Sequence, residues 1–302
     1  MRFAVRIHQN GWSYRELEAV WRESERLGYD GASLYDVLGI NGPECWTALT
    51  ALTARTQRLV AVPLVLSSPY RHPAVVARMA ATLDAVSPGR VIVGLGAGGS
   101  DADAAAFGVQ WPPAAQRIEA LGEAAEVMRI LWGGGGSFSG RWYQLRDAPG
   151  CDTARAEGLP ILIGGHGPRL LRTAARHADL CNVGFDLTPG EWRRLGPMLA
   201  AHARQAGRMP GSPALTHNAT VLLGGDEAEF SRLVSAWASR RGLSEESARQ
   251  KLEHSLAGTP GLVRERLRAL EAAGVAWVFL LFDDARDSGG LRLFAEAVMS
   301  ER

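Results

Sequence analysis

The chain of 302 residues has few cysteines: Cys45, Cys151 and Cys181 are widely spaced and form no CxxC pair. An odd, scattered set of this kind supports neither a disulfide framework nor a zinc knuckle, and it fits a reducing cytosol. Lysine is nearly missing. Lys251 stands alone among 33 basic residues, a composition that reads as GC-rich coding. An excess of one charge sign is also lacking: 33 basic against 32 acidic residues leave a formal charge of +1, so no global field draws the chain to nucleic acid or an anionic membrane. No apolar run approaches the ~20 residues of a membrane span. The opening MRFAVRIHQNGW is too interrupted by charge and polarity for a secretory leader. HExxH, HxxxH, GxSxG and P-loop patterns are missing too, which leaves metal hydrolysis, serine hydrolysis and kinase-type chemistry without support. No metal is expected.

What is present is a chain with 46% hydrophobic residues, enough for a large core, at a length that suits one α/β barrel of about 250 residues plus insertions. Short apolar, β-branched segments alternate with stretches of helical period. Strands are predicted at Phe3–Ile7, Gly31–Tyr35, Leu59–Leu66, Arg90–Leu95, Pro160–Gly164, Asp179–Val183, Ala214–Leu223 and Ala276–Phe282. Helices are predicted at Ser13–Leu27, Glu44–Thr56, Pro73–Val86, Gln116–Trp132, Pro168–Ala178, Pro189–Ala206, Asp226–Leu256 and Pro260–Ala273. Eight such pairs mean parallel strands covered by helices, a (β/α)8 TIM barrel forming one domain over 1–302. Two interruptions read as insertions: Gly133–Gly158, expected to be a mobile loop near the barrel mouth, and the extended helical stretch before strand eight.

Two glycine-rich turns carry chemistry. Gly94-Leu95-Gly96-Ala97-Gly98-Gly99 matches the GxGxxG spacing of an open Rossmann sheet. The residues after it, SDADAAAFGVQWPP, start a helix poorly, and no acidic residue ends a second strand about 20 positions on, so the barrel is the better reading. Gly96, Ala97 and Gly98 instead remove side-chain bulk where a flat ring can lie against backbone. Gly164, Gly165, His166 and Gly167 precede Pro168 at a strand-to-helix turn, where free N–H groups and the helix dipole suit a phosphate. A tight turn without a ligand is the other reading of the same residues.

Three stretches, taken together, resemble the luciferase-like monooxygenase family and in particular its F420-dependent oxidoreductases. They are Tyr70-Arg71-His72-Pro73 running through Leu83-Asp84 to Ser87-Pro88-Gly89-Arg90; Gly94 to Gly98 with Phe107-Gly108, Arg117 and Leu131-Trp132; and Pro160 to Gly167 with Ala178-Asp179. Gly28-Tyr29-Asp30, Tyr35-Asp36 and Gly258-Thr259-Pro260 are lesser matches in the same order. The resemblance implies coenzyme F420, with FMN as the alternative, seated against Gly96, Ala97 and Gly98. It also implies a non-proline cis peptide at the end of strand three, aligned to Val65-Leu66 and followed by Ser67, supporting the ring. It further implies a homodimer.

Active-site groups in this fold come from strand C-terminal ends, which nominates His8, Asn10, Asp36, Ser67 and Asn182. His8, able to titrate near neutrality, and Asp36 are the catalytic candidates. Trp12, Trp46 and Trp111 are candidate apolar walls for a sizeable organic substrate. Two departures bear on the reaction. Val37 follows Asp36 where the family often has histidine, and Gly99-Ser100 stand where alcohol-oxidising relatives have a glutamate. Both argue against sugar-phosphate dehydrogenation and toward hydride transfer to an unsaturated C=C or C=N bond. A two-component FMN monooxygenase and a non-catalytic flavin-binding protein are the competing readings.

Overall fold

The computed structural model describes residues 1–155, 157–283 and 285–300. Its strands are β1 Arg2–Arg6, β2 Gly31–Leu34, β3 Val60–Pro63, β4 Leu66–Ser67, β5 Val93–Gly96, β6 Gly135–Ser139, β7 Gln144–Pro149, β8 Ile161–Gly164, β9 Leu180–Phe185, β10 Ala214–Leu223, β11 Leu256–Gly258 and β12 Val275–Phe282. The helices are α1 Tyr14–Arg26, α2 Cys45–Thr53, α3 Pro73–Val86, α4 Asp101–Ala106, α5 Ala114–Trp132, α6 Pro168–His177, α7 Pro189–Gln205, α8 Glu227–Arg240, α9 Glu245–Leu252, α10 Pro260–Ala272 and α11 Gly289–Phe294.

Nine parallel segments run in the order β3-β2-β1-β12-β10-β9-β8-β5-β4. Because β3 and β4 are the two halves of one strand, and Ala61 bridges Val91 across the seam, the sheet closes into the expected eight-position barrel. The Gly94–Gly99 run therefore lies on a barrel strand, not in a Rossmann turn. Period-2 alternation sends Ala4, Val62, Leu64, Ile92, Leu162, Leu180, Trp277 and Phe279 into the lumen, where they form a buried cluster. The lower barrel is thus packed solid, and ligands can enter only from the C-terminal mouth.

Helix starts follow their local chemistry. Ser13 with Glu16, and Thr188 with Glu191, close full capping boxes on α1 and α7. Proline occupies the first turn of α3, α6, α7 and α10, where its missing N–H removes no intrahelical bond. Asp84, fully buried, is the carboxylate of the Leu83-Asp84 motif. It accepts from Gly89 N at 3.0 Å and from Ala154 N, which ties the turn into strand four to the chain after β7.

Four expectations change. The strand predicted as Leu59–Leu66 breaks in the middle, and its cis peptide is Leu64-Val65, one residue before the aligned Val65-Leu66. The segment 133–158, of which Ala156 is outside the described residues, holds an antiparallel hairpin of β6 and β7 where a mobile loop was expected. Glu123 of α5 pins its turn by accepting from Arg141 N at 2.8 Å, Trp142 N at 2.8 Å and Tyr143 N at 3.1 Å. The long helix predicted over Asp226–Leu256 is two helices and a strand. Gly242 at φ +62 ends the first, Ser244 caps the second, and β11 pairs with β10. The stretch after Gly99 does begin a helix, α4, because Ser100 caps it through Asp103 N.

Candidate active site

The break in strand three shapes the mouth. Beyond the cis bond, Val65 turns its side chain toward the lumen, and three glycines make room for it. A Cβ on Gly96 would lie 2.6 Å from Val65 Cγ2, one on Gly164 would lie 3.0 Å from Val65 Cγ1, and one on Gly94 would meet Pro63 O and, at 3.3 Å, Val65 Cγ1. The space that Gly96 leaves is therefore filled by an isopropyl group. The flat surface open to a ligand is Val65 itself, not bare backbone. Leu66, beside it, is 1% exposed and packs outward among the core side chains under the helices, so it supports the bulge without facing the mouth. Ser67 is buried, and its backbone N–H donates to Asp36 Oδ2 at 3.0 Å.

Gly98, at φ +83, receives the indole of Trp111 where a side chain would sit. Arg117 stacks on that indole at 4.1 Å and donates from Nε to Ala97 O at 2.9 Å. The motif residues around Gly96, Ala97 and Gly98 thus buttress one edge of the mouth, where Trp111 is packed between Gly98 and Arg117. Trp12 is buried at a second cavity described below, whereas Trp46 belongs to a groove between α2 and α3, outside the barrel.

At the β8–α6 turn, Gly165 takes φ +139 and approaches Leu170 so closely that a Cβ would lie 2.7 Å from Leu170 Cδ2. Its N–H donates to Asn182 O at 2.8 Å and is not available to an anion. The donors left are those of His166, Gly167 and the first turn of α6, which has no side-chain cap. Arg169 and Arg172, next along the chain, line a groove against Glu119, Glu123 and Glu126 of α5.

The catalytic candidates separate. Asp36 is buried and bound bidentately by Arg71, Nη1 to Oδ2 at 2.7 Å and Nη2 to Oδ1 at 3.1 Å, while Arg71 also reaches Glu44 at 2.6 Å. With Ser67 N on the same carboxylate, Asp36 locks the end of strand three and has no free edge for substrate. His8 sits at the mouth with its ring 4.2 Å from that of Tyr35. Although the residue keeps an exposed edge, desolvation of the imidazole by its neighbours, then the field of Arg6, pushes its pKa down to about 4, so it is neutral at pH 7, below the near-neutral range the sequence suggested. Burial raises Tyr35, which therefore keeps its proton. Asn10 is an exposed loop residue whose Oδ1 accepts from Asn41 N at 3.0 Å.

Asn182 does face the lumen, and it brings residues that the sequence reading passed over. Its Nδ2 donates to Thr216 Oγ1 at 2.9 Å, and Asn218 Nδ2 donates to its Oδ1 at 2.7 Å. Asp186 accepts from Thr220 N and Oγ1 at 2.9 and 2.7 Å. The THNAT run in the otherwise apolar β10 was the signal. Above the apolar floor the lumen is thus a polar ring. Among the described residues no group of three or more His, Cys, Asp or Glu gathers as a metal site, and no helix is long and apolar enough to cross a membrane.

The family model for luciferase-like monooxygenases matches residues 1–276. Over 221 residues the chain is 32% identical to a protein of Microbacterium testaceum named F420-dependent glucose-6-phosphate dehydrogenase, which covers 69% of this chain and 64% of that relative. A relative of the same name from Mycolicibacterium fortuitum is 34% identical over 208 residues, covering 64% of this chain and 60% of its own length. The chain therefore matches less than two thirds of either relative. An F420-dependent secondary alcohol dehydrogenase solved with an F420-acetone adduct has a TM-score of 0.83 at 19% identity, covering 100% of this chain and 99% of the other, a likeness of fold. With the match running over nearly all of the barrel, the chain belongs to the luciferase-like monooxygenase family.

Proposed function

We propose that this protein is a coenzyme F420-dependent oxidoreductase that transfers hydride between the deazaflavin and an unsaturated C=C or C=N substrate. The observation that carries the reading is the double role of Gly164. It walls one side of the Val65 platform, and as the last residue of β8 it leads directly into the turn to the uncapped start of α6. An apolar plate beside a set of N–H donors suits a flat tricyclic ring joined to an anionic tail, so the residues present fit the group. Val65 would bear the ring, with Gly164 beside it; Ala97, Gly98 and Trp111 would edge it; His166, Gly167 and the first turn of α6 would receive the phosphate. When bound in its reduced form, the deazaflavin supplies a hydride at C5.

The chain's own residues do the rest. The neutral His8 imidazole and the Tyr35 ring, tilted against each other at 36°, orient the acceptor bond, and Tyr35 Oη offers it a proton. Asn182, Asn218 and Thr216 fix the polar ring around it. Trp111 and Trp12 keep water from the mouth. Relatives named glucose-6-phosphate dehydrogenase suggest an alcohol substrate, but the groups present favour reduction. Val37 and Gly99 occupy the two departing positions. Neither nearby aspartate replaces a carboxylate, because Asp101 accepts from Trp111 Nε1 and Asp103 packs against Gly39.

The test is turnover of reduced F420 against a panel of activated alkenes and imines, with glucose 6-phosphate as comparison. Consumption with an unsaturated acceptor, slowed in His8→Ala without loss of cofactor binding, supports the reading. Turnover of glucose 6-phosphate alone, or full activity in His8→Ala, overturns it.

A further inference from the structure

Strand β1 places one residue where nothing above accounts for it. Ala4 belongs to the lumen floor and His8 to the mouth, so period 2 puts Arg6 in the lumen between them. Its side chain is 9% exposed, and Nε and Nη1 are buried without a hydrogen-bond partner. The guanidinium lies 4.4 Å over the ring of Phe185. Burial lowers its pKa to about 10, which leaves it charged at pH 7.

Among the described residues, four carboxylates near the mouth are engaged with other groups. Asp36 holds Arg71, Asp186 holds Thr220, Asp283 pairs with Arg240 and Arg241, and Glu16 pairs with Arg286. A buried cation without a counter-charge destabilises the fold, and an apolar side chain of similar length would serve the packing better. Arg6 nevertheless lines a cavity of about 350 Å³ with His8, Trp12, Thr220 and Arg241. In the ring of eight, β1 stands four places from β8, so Arg6 faces the cofactor's phosphate turn from across the lumen.

We infer that Arg6 is an anion receptor for the second molecule in the site, and that the substrate carries a carboxylate or phosphate whose oxygens take the free guanidinium edge. This deepens the reading of the protein as a hydride-transfer enzyme and rests on it for the word substrate. The planar fork suits a two-oxygen contact, which a single amine does not.

The experiment uses the whole protein, with and without F420, and its variants Arg6→Met and Arg6→Lys. Thermal shift and calorimetric titration are run with inorganic phosphate and, separately, with crotonate as a small unsaturated carboxylate. The expected result is that at least one probe raises the Tm of the parent protein. Arg6→Met binds that probe about 10- to 100-fold more weakly, in line with loss of a charge-assisted pair. Its own Tm without ligand is equal to or above the parent's, whereas Arg6→Lys keeps part of the binding. Crotonate binding alone assigns a carboxylate substrate, and phosphate binding alone a phosphorylated one. The inference is overturned if neither probe binds the parent, if Arg6→Met binds both as well as the parent does, or if Arg6→Met and Arg6→Lys both fail to fold, since Arg6 would then be a packing residue. F420 fluorescence is followed in the same samples, so loss of the cofactor reading is seen separately from loss of the anion site.

Discussion

Replacing Gly96 by alanine sets a methyl 2.6 Å from Val65 Cγ2 and 3.7 Å from Val65 Cβ. Carbon atoms do not approach to the first of these distances, so Val65 must swing from its place or β5 must shift. Overpacking of this kind costs about 1–3 kcal/mol. Val65→Ala alone removes two methyl groups from a half-buried site and costs about 1–2 kcal/mol. If the two positions were independent, the double variant would lose the sum. If Val65 is what fills the space at Gly96, the double variant loses little more than Val65→Ala by itself, a coupling of about 1–3 kcal/mol, the cost of Gly96→Ala alone. Urea denaturation followed by tryptophan fluorescence measures all four proteins. Cofactor binding gives a second reading of the same cycle: Val65→Ala removes the platform and weakens F420 by about tenfold, on the scale of one apolar contact. Strict additivity in stability, together with unchanged F420 affinity in Val65→Ala, would refute the role given to this side chain.

Asp36→Asn breaks the paired carboxylate that holds Arg71 and Ser67 N. It should cost about 3 kcal/mol, the lower end for a buried pair because Glu44 remains on Arg71, as read by thermal unfolding. His217 is 1% exposed and its imidazole is held neutral by burial, pKa about 4 against an ordinary 6.5. The unfolded chain therefore binds a proton that the folded chain refuses between those values, so stability is complete above the higher one and falls as pH drops toward the lower. Between about pH 7.5 and about pH 5 the loss from this residue is about 2 kcal/mol. His217→Gln should flatten the acid side of the stability curve by that amount, and an unchanged curve would count against it. Gly165→Val places a branched side chain at φ +139 against Leu170, and should weaken cofactor binding at least tenfold in a fluorescence titration.

The barrel was readable because alternation and start signals agree. Pro73, Pro168, Pro189 and Pro260 each open a helix where the sequence places one, and α3 matches its predicted limits at both ends. The break in strand three was not readable from the residues. Val60 to Leu66 reads as one apolar run, and the turn of Val65 into the lumen depends on glycines at 94, 96 and 164 in other strands. Tertiary contact also decides the 133–158 hairpin, whose glycines suggest a loose loop until Glu123 supplies acceptors to its turn. At the site, the glycine turns lie at the barrel mouth, but several of their parts have other contacts than the sequence suggested. Gly165 N–H bonds to Asn182, and Asp36 is a lock. Arg6 was passed over, though a charge on the inward side of an apolar strand was its signal, and Asn218 and Thr216 were signalled by the polar run in β10.

The direct test of the central claim is a fluorescence titration of the purified protein with F420 and, separately, with FMN, repeated on Val65→Ala. Saturable binding of F420, weaker binding of FMN and a lowered F420 affinity in the variant are expected. Preference for FMN would make the protein a flavin enzyme of the same barrel, and binding of neither would contradict the account of the mouth as a cofactor site.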